Sequence, residues 1–388
     1  MINFFRKWER AYFHSQYSDA QLRSDWLTPP NRLPLEEISF SVFPERENIK
    51  SVVVFKPDDL GDAVHALPAL HELRRALPNA RISIVARPSN AAIFESTSVC
   101  DEIIPVEVKT WFRRFPRVVG IRNLDADLAI FLRSHPSYFR QFRKLPFPLL
   151  HPLDPRMKSK SPYQVFVNSW GERGEHQTLQ MLRLVSPLTR KSYSYDDIKY
   201  PQWKWTAEEK HSVDVLLEGK KSFIVLHPYV KDENRRYPRK YWDEVHAALR
   251  KKFAVDWVVI GSKEDVGEFF DESVTSFKGK FTLSQTAYLL SRANAFIGVM
   301  SGPGHLAAAV GTPTVTLSGG ASYTREWGAL GKSLVLRADV PCAPCNLKSC
   351  PLEHLNCINE LTPSRVIPAV ESFLKRHQIP PVAEFSSR

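Results

Sequence analysis

The sequence lacks any apolar run long enough to cross a membrane, and its amino terminus lacks the apolar core of a signal peptide. Residues 1–13, MINFFRKWERAYF, are interrupted by charges every few positions. A membrane-spanning helix needs about 20 consecutive, mainly apolar residues. The sequence therefore predicts a cytoplasmic protein, either dissolved or held peripherally on the inner membrane.

The sequence also lacks internal repeats, low-complexity segments and any nucleic-acid-binding motif, although its formal net charge is +11. We therefore exclude nucleic acid as a partner. The charge is concentrated in three segments that mix cations with aromatic residues, at 111–117, 138–144 and 156–160. They predict either a surface for an anionic acceptor or lipid head groups, or ordinary solvated faces.

Residues 1–46 are expected to precede the first domain. A helix drawn through the start of this extension places five aromatic side chains roughly on one face: Phe4, Phe5, Trp8, Tyr12 and Phe13. Such a face suits either an interfacial membrane anchor or packing against another subunit. Peripheral membrane contact and a homo-oligomer both remain open.

A chain of 388 residues exceeds what one hydrophobic core usually supports, so two domains are expected. Alternating strands and helices predict Rossmann-like domains at 47–200 and 206–375, with a linker near 198–205 and a tail at 376–388. The predicted fold class is α/β, with two parallel-sheet domains facing each other across a cleft.

The first candidate site follows a β-branched strand at 51–55. A loop from Lys56 to Asp62 comes next, then a predicted helix from Ala63 to Leu77 and a strand at 82–86. In this βαβ unit, Asp58, Asp59 and Asp62 lie at the carboxyl end of the strand, where open α/β sheets place their chemistry.

The second candidate site is the glycine-rich segment 298–313, between a strand ending near Ile297 and a helix predicted from Leu306. Gly302 and Gly304 allow the backbone to approach a ligand closely. The backbone amides from Ser301 to His305, including that of Gly302 beside Pro303, would then face an anion such as a diphosphate. The alternative is a tight strand-to-helix turn without a ligand.

Four of the five cysteines fall within one short segment, whereas Cys100 stands alone. Their spacing is C-x2-C-x4-C-x6-C, and they are Cys342, Cys345, Cys350 and Cys357. Disulfides are rarely stable in the cytoplasm, and four thiolates suit tetrahedral zinc or iron. The segment predicts either one structural Zn or Fe ion or reduced thiols packed in a compact loop.

Over about residues 50–370 the chain resembles glycosyltransferase family 9, the heptosyltransferase group. The motifs that carry the resemblance are Lys56-x-Asp58-x-x-Gly61-Asp62 with Ala66-Leu-Pro-Ala-Leu70, His227-Pro with Arg235-Arg-Tyr-Pro238, Ser301-Gly-Pro-Gly-His-Leu-Ala-Ala-Ala309 with Gly311-Thr-Pro313, and the cysteine run.

The resemblance implies the GT-B fold and an inverting transfer of a sugar from a nucleotide diphosphate without a catalytic cofactor. The expected donor is ADP-heptose, and the expected acceptor is the anionic inner core of lipopolysaccharide. Two alternatives stay open. One is protein O-heptosylation, as in an autotransporter-modifying branch that holds iron with cysteines in this region; the other is a catalytically silent binding or assembly protein.

Asp62 is our candidate for the general base, because a carboxylate there can take the proton of the acceptor hydroxyl. The resemblance indicates the same residue, with Asp58 as the second candidate. We expect the helix dipole to keep Asp62 ionised. The alternative is that Asp62 caps the helix that follows it.

The leaving diphosphate needs cationic partners. The resemblance assigns this role to Arg235, and Lys231 is close enough in sequence to share it. His305 either donates to a phosphate oxygen or holds the loop, and Glu264 is expected to bind ribose hydroxyls. Where the family usually has an aspartate that contacts the donor sugar, this sequence has Met300, so the sugar preference is expected to differ.

Overall fold

The computed structural model describes residues 44–111, 115–119, 124–132, 139, 145–152, 164–167, 175–267, 269–321, 323–345 and 347–381. The aromatic segment 1–13 and the basic segment 156–160 lie outside these ranges, as does 138–144 apart from Phe139. The contacts within the chain define two compact units, with a boundary between Trp205 and Thr206.

The amino-terminal unit is built on a parallel sheet. In the described residues it has the strand order β3-β2-β1-β6-β7-β8. These strands are β1 Ser51–Phe55, β2 Arg81–Ala86, β3 Glu102–Pro105, β6 Leu128–Phe131, β7 Leu149–Pro152 and β8 Gln164–Val167. Between β3 and β6, β4 (Glu107–Trp111) and β5 (Phe115–Val119) pair as an antiparallel ribbon.

The helices of this unit are α1 Leu60–Ala76, α2 Ala91–Ser96, α3 Gln177–Leu184 and α4 Ser186–Thr189. Helix α1 begins three residues before the predicted Ala63. Its first turn closes because the amide of Ala63 donates to the carbonyl of Asp59 at 3.1 Å, which overrides the low helix propensity of Gly61. Asp62 therefore lies in the first turn of a helix and not in the preceding loop.

The carboxy-terminal unit has a second parallel sheet, with the order β11-β10-β9-β12-β13-β14 in the described residues. Its strands are β9 Phe223–His227, β10 Asp256–Val259, β11 Thr275–Ser276, β12 Ala295–Val299, β13 Thr314–Ser318 and β14 Ser333–Arg337. Its helices are α5 Ala207–Leu217, α6 Arg239–Arg250, α7 Leu283–Arg292, α8 Gly302–Ala309, α9 Thr324–Trp327, α10 Asn356–Asn359 and α11 Pro363–Arg376.

Both sheets have the same strand order, which is the doubly wound arrangement. The second and third strands are added on one side of the first strand, and the next three are added on its other side. The order reverses between β1 and β6 in one unit and between β9 and β12 in the other. Ligands of open α/β sheets bind outside the carboxyl ends of the strands at this switch point. All the candidate residues after β1, β9 and β12 are therefore well placed for chemistry.

Helix α8 begins at Gly302, four residues before the predicted start, so the glycine-rich segment forms its first turn. A Cβ atom built on Gly304 would lie 3.0 Å from Cγ2 of Thr316 on β13. Glycine at this position thus allows the helix to pack closely on the sheet. In the part of the chain that the structure describes, no helix is both long and apolar enough to span a bilayer.

Candidate active site

A completely buried lysine lies beneath the acidic group of the amino-terminal unit. Lys56 directly follows β1, its side chain is 0% exposed, and its Nζ lies 3.0 Å from Oδ2 of Asp58. Burying an ammonium ion is costly unless an anion is close enough to compensate. The ion pair with Asp58 therefore fixes a positive charge at the carboxyl end of β1.

Asp62 lies near this charge, in the first turn of α1. Burial raises the pKa of Asp62 to about 7; the Lys56 ammonium opposes the rise, while Asp58 and Asp59 add to it. The prediction that the helix dipole keeps Asp62 ionised is therefore wrong, because loss of hydration outweighs the dipole. A carboxylate that titrates near neutrality is a stronger base than an ordinary one.

Asp59, not Asp62, occupies the N-cap position of α1, and its side chain makes no capping hydrogen bond. Its carboxylate is exposed and lies 2.9 Å from Nη1 of Arg87. Arg87 follows β2 and also donates from Nε to the carbonyl of Pro57 at 2.8 Å. Asn90 donates to the carbonyl of Asp58 at 2.8 Å. These contacts therefore hold the loop that carries the acidic residues against the segment that follows β2.

The phosphate-loop candidate follows β12 in the carboxy-terminal unit. The amides of Gly304 and His305 donate to the carbonyl of Ser301, at 3.0 and 3.4 Å, and Pro303 has no amide hydrogen. Within the described residues, the amides of Ser301 and Gly302 have no hydrogen-bond acceptor. Of the four amide N–H groups between Ser301 and His305, these two remain available for an anion.

His227 and Ser301 meet across the switch point between β9 and β12. The Oγ atom of Ser301 lies 3.3 Å from Nδ1 of His227 and donates to the carbonyl of Val299 at 3.1 Å. Burial lowers the pKa of His227 to about 4, so its imidazole is neutral at physiological pH. It therefore orients the Ser301 hydroxyl without adding charge.

His227 had no chemical role predicted from the sequence, although a histidine followed by proline at the end of a buried strand is a usable signal. Lys56 likewise entered the sequence prediction only as part of a motif. Both residues lie at the carboxyl end of a central strand: Lys56 follows β1, and His227 is the last residue of β9.

Arg235, Lys231 and Glu264 lie at the carboxyl edge of the second sheet, after β9 and β10. Arg235 ends the 3-10 turn Glu233–Arg235; it is half-buried, with its Nε 3.6 Å from Oδ2 of Asp232. Lys231 and Glu264 are exposed. Hydrogen bonds from its own backbone amide and from Ser262 lower the pKa of Glu264, and Lys231 contributes to the same effect.

Met300 and His305 differ from these residues in being buried, at 4% and 7% exposed. The amide of Met300 donates to the carbonyl of Leu317 at 3.0 Å, which continues the pairing of β12 with β13. The Met300 side chain, which directly precedes the candidate phosphate loop, is thus a buried apolar group of the carboxy-terminal unit. A contact between Met300 and the donor sugar stays a prediction.

The four clustered cysteines come together in the structure. Cys342, Cys345, Cys350 and Cys357 line one small pocket of about 10 Å³, together with Asn234 and His354. Burial raises the pKa of Cys342, Cys345 and Cys357. As the described side chains stand, no group of three or more histidine, cysteine or acidic residues is arranged to hold a metal ion.

Two doubly wound α/β units, one with an acidic motif after its first strand and one with a glycine-rich helix start after β12, have the architecture of a GT-B glycosyltransferase. The chain belongs to glycosyltransferase family 9, the heptosyltransferase family, whose sequence profile matches residues 153–356.

Two relatives and one solved structure show how far the similarity extends. Lipooligosaccharide heptosyltransferase 2 of Campylobacter jejuni is 25% identical, over 84% of this chain and 99% of its own. Lipopolysaccharide heptosyltransferase 1 of Pseudomonas aeruginosa is 26% identical, over 83% and 98%. The structure of E. coli ADP-heptose LPS heptosyltransferase II superposes with a TM-score of 0.61 at 16% identity, covering 84% of this chain and 99% of that one.

Proposed function

We propose that this protein transfers heptose from ADP-heptose to the inner core of lipopolysaccharide, with inversion at the anomeric carbon. The similarity of the chain to a lipooligosaccharide heptosyltransferase and a lipopolysaccharide heptosyltransferase supports the lipopolysaccharide acceptor. The similarity to the solved E. coli ADP-heptose LPS heptosyltransferase II supports the ADP-heptose donor. The observation that carries the chemical assignment is Asp62, whose pKa lies near 7 at the carboxyl end of β1.

In the proposed reaction, the ionised Asp62 takes the proton of an acceptor hydroxyl. The hydroxyl oxygen then bonds to the anomeric carbon of the sugar while the bond from that carbon to the diphosphate oxygen breaks. Attack on the face opposite the leaving group inverts the configuration. Lys56 pairs with Asp58 at 3.0 Å, and the Lys56 ammonium limits the rise in the pKa of Asp62.

The departing ADP gains negative charge, which the chain's own donors stabilise. We assign this role to the two available amides, of Ser301 and Gly302, and to the guanidinium of Arg235, which can bind phosphate oxygens in pairs. Lys231 is a second cation at the same sheet edge. Glu264 is assigned to the ribose hydroxyls, His305 to the support of the loop and Met300 to the neighbourhood of the sugar.

The acceptor is an anionic glycolipid, so we propose that the protein works in the cytoplasm with peripheral contact to the inner membrane. Phosphate-bearing head groups attract basic surfaces. The basic segments identified in the sequence would provide that attraction, and a homo-oligomer would repeat them on one surface.

We also propose that Cys342, Cys345, Cys350 and Cys357 hold one structural Zn or Fe ion. The donor set suits either metal, and the pocket shared by the four cysteines has room for about one water-sized sphere. With all four positions taken by thiolates, such an ion would contribute to stability and not to the chemical step.

The test uses the purified full-length protein with ADP-heptose and lipopolysaccharide that lacks its inner-core heptose. We expect release of ADP together with a glycolipid product heavier by one heptose, with the new linkage of opposite anomeric configuration to the donor. ADP-mannose and ADP-glucose serve as matched donors, and an unmodified polypeptide serves as the alternative acceptor. Transfer to the polypeptide alone, or donor binding without transfer to either acceptor, would contradict the proposal.

A further inference from the structure

The residue next to Arg235 connects it to the cysteine cluster. Asn234 is 1% exposed, although it lies in the same 3-10 turn as the half-buried Arg235. Its Nδ2 donates to the carbonyl of Leu347 and lies 3.9 Å from Sγ of Cys345. The side chain of Asn234 therefore enters the pocket that the cysteines line.

The backbone of the turn is restrained as well. A Cβ atom built on Gly319, just after β13, would lie 1.8 Å from the carbonyl oxygen of Asn234. No other amino acid fits at Gly319 unless the turn moves. The next residue, Gly320, accepts a hydrogen bond from the amide of Cys345 at 2.7 Å. Helix α10, which carries Cys357, packs against the same turn.

From these contacts we propose that Asn234 is a positioning residue that fixes Arg235 for the donor diphosphate by anchoring its turn to the cysteine loop. The inference rests on the proposed function, in which Arg235 binds the diphosphate. A buried amide that satisfies a carbonyl on another segment holds the backbone on which it sits. An arginine that grips phosphate through paired hydrogen bonds depends on that placement.

The test compares the affinity for ADP with the affinity for adenosine, by calorimetry on the full-length protein. Asn234→Ala should weaken ADP binding by about five- to tenfold, since a charge-assisted hydrogen bond is misplaced. Adenosine binding should change by less than about twofold, since it lacks the diphosphate. Asn234→Asp keeps the side-chain shape but removes the amide donor, and it gives the same comparison if Asn234→Ala does not fold. Glu233→Gln, at an exposed position of the same turn, is the control.

A double-mutant cycle shows whether Asn234 acts through Arg235. In an Arg235→Ala background, Asn234→Ala should cost ADP binding less than about a further twofold. The same loss in both backgrounds, or equal losses for ADP and adenosine, would overturn the inference. If Arg235→Ala weakens ADP binding and neither Asn234 variant does, only the positioning role fails. If Arg235→Ala leaves ADP binding unchanged, the assignment of Arg235 to the diphosphate fails, and the role of Asn234 fails with it.

Discussion

Lys56 and Asp58 form an ion pair in which the cation is completely buried, with Nζ 3.0 Å from Oδ2. Within the pair, the Lys56 ammonium opposes the rise in the pKa of the Asp62 carboxyl, whereas the Asp58 carboxylate adds to it. The protonation of Asp62 therefore depends on Lys56 of the same short motif, and the predictions for this half of the site follow from that dependence.

Replacing Asp62 by asparagine should lower turnover by at least about a hundredfold, because a positioned base contributes that much. Affinity for ADP should change little. Asp59→Asn is the matched control, since Asp59 is exposed and paired with Arg87. Steady-state kinetics together with calorimetry measure both quantities. Near-normal turnover in the variant would transfer the role to Asp58.

The pH profile provides a separate test of the same residue. Asp62 must lose its proton to act as a base, so kcat/KM should fall as the pH drops below about 7. Lys56→Met removes the charge that lowers the pKa of Asp62, so the midpoint of this limb should move to higher pH. Lys56→Arg should keep it close to the original position. A midpoint that is the same in both variants and the parent would show that Lys56 does not act on the base.

The raised pKa of Asp62 also affects stability. The folded state binds this proton more tightly than the unfolded chain does, so the contribution of Asp62 is present below about pH 4 and lost as the pH rises through 7. Asp62→Asn should therefore gain thermal stability relative to the parent at pH 8 and not at pH 4. This measurement distinguishes loss of the base from misfolding.

Arg235→Ala should weaken the binding of ADP far more than that of adenosine, because its proposed partner is a phosphate oxygen. Arg236→Ala removes the same charge from the adjacent, exposed residue and should have a small effect on both ligands. Calorimetry with the two ligands measures the difference. Equal losses for ADP and adenosine in Arg235→Ala would indicate a general folding defect.

Met300→Asp should change the ranking of heptose and hexose donors, since it restores the carboxylate that the family usually has before the phosphate loop. Met300 is 4% exposed, so a buried charge will also reduce stability. Met300→Leu, an apolar change of similar volume, is the control for packing. Relative kcat/KM for ADP-heptose and ADP-hexoses gives the ranking. A ranking unchanged in Met300→Asp means that this side chain does not face the sugar.

Replacing any one of Cys342, Cys345, Cys350 and Cys357 by serine should lower both the metal content and the melting temperature. Cys100→Ser, outside the pocket, should change neither. Elemental analysis of protein purified without chelator should find about one equivalent of Zn or Fe per chain, as expected for a four-thiolate site. Metal-free protein with unchanged stability in all four variants would leave reduced thiols as the description of the loop.

The sequence was sufficient for elements whose pattern is local. The strands predicted at 51–55 and 82–86 are β1 and β2, and the helix predicted from Ala63 to Leu77 is α1, which begins three residues earlier. Runs of β-branched residues and apolar residues at helical spacing are present in the sequence itself. Helix starts were less well predicted. Gly61 and Gly302 indicated loops, but both lie in the first turns of helices, α1 and α8.

The residue types of the candidate site could be predicted from the sequence. The protonation energetics of those residues could not. The motif identified Asp62, but its near-neutral pKa depends on how completely the fold removes water around it. The spacing of the cysteines indicated a cluster. Nothing in that spacing indicated that Asn234, more than 100 positions earlier, would enter the same pocket. Long-range contacts of this kind depend on the assembled sheet.

The repeated strand order has a consequence for how the chain unfolds. Each sheet buries apolar side chains drawn from its own part of the sequence, one core including Phe55 and Phe131 and the other Trp242 and Ile297. Separate cores are separate cooperative units, and chains of this size commonly fold domain by domain. We therefore expect a substitution in the cysteine loop to lower the melting temperature of the carboxy-terminal unit, and we expect a two-state free energy of unfolding not to describe the whole chain.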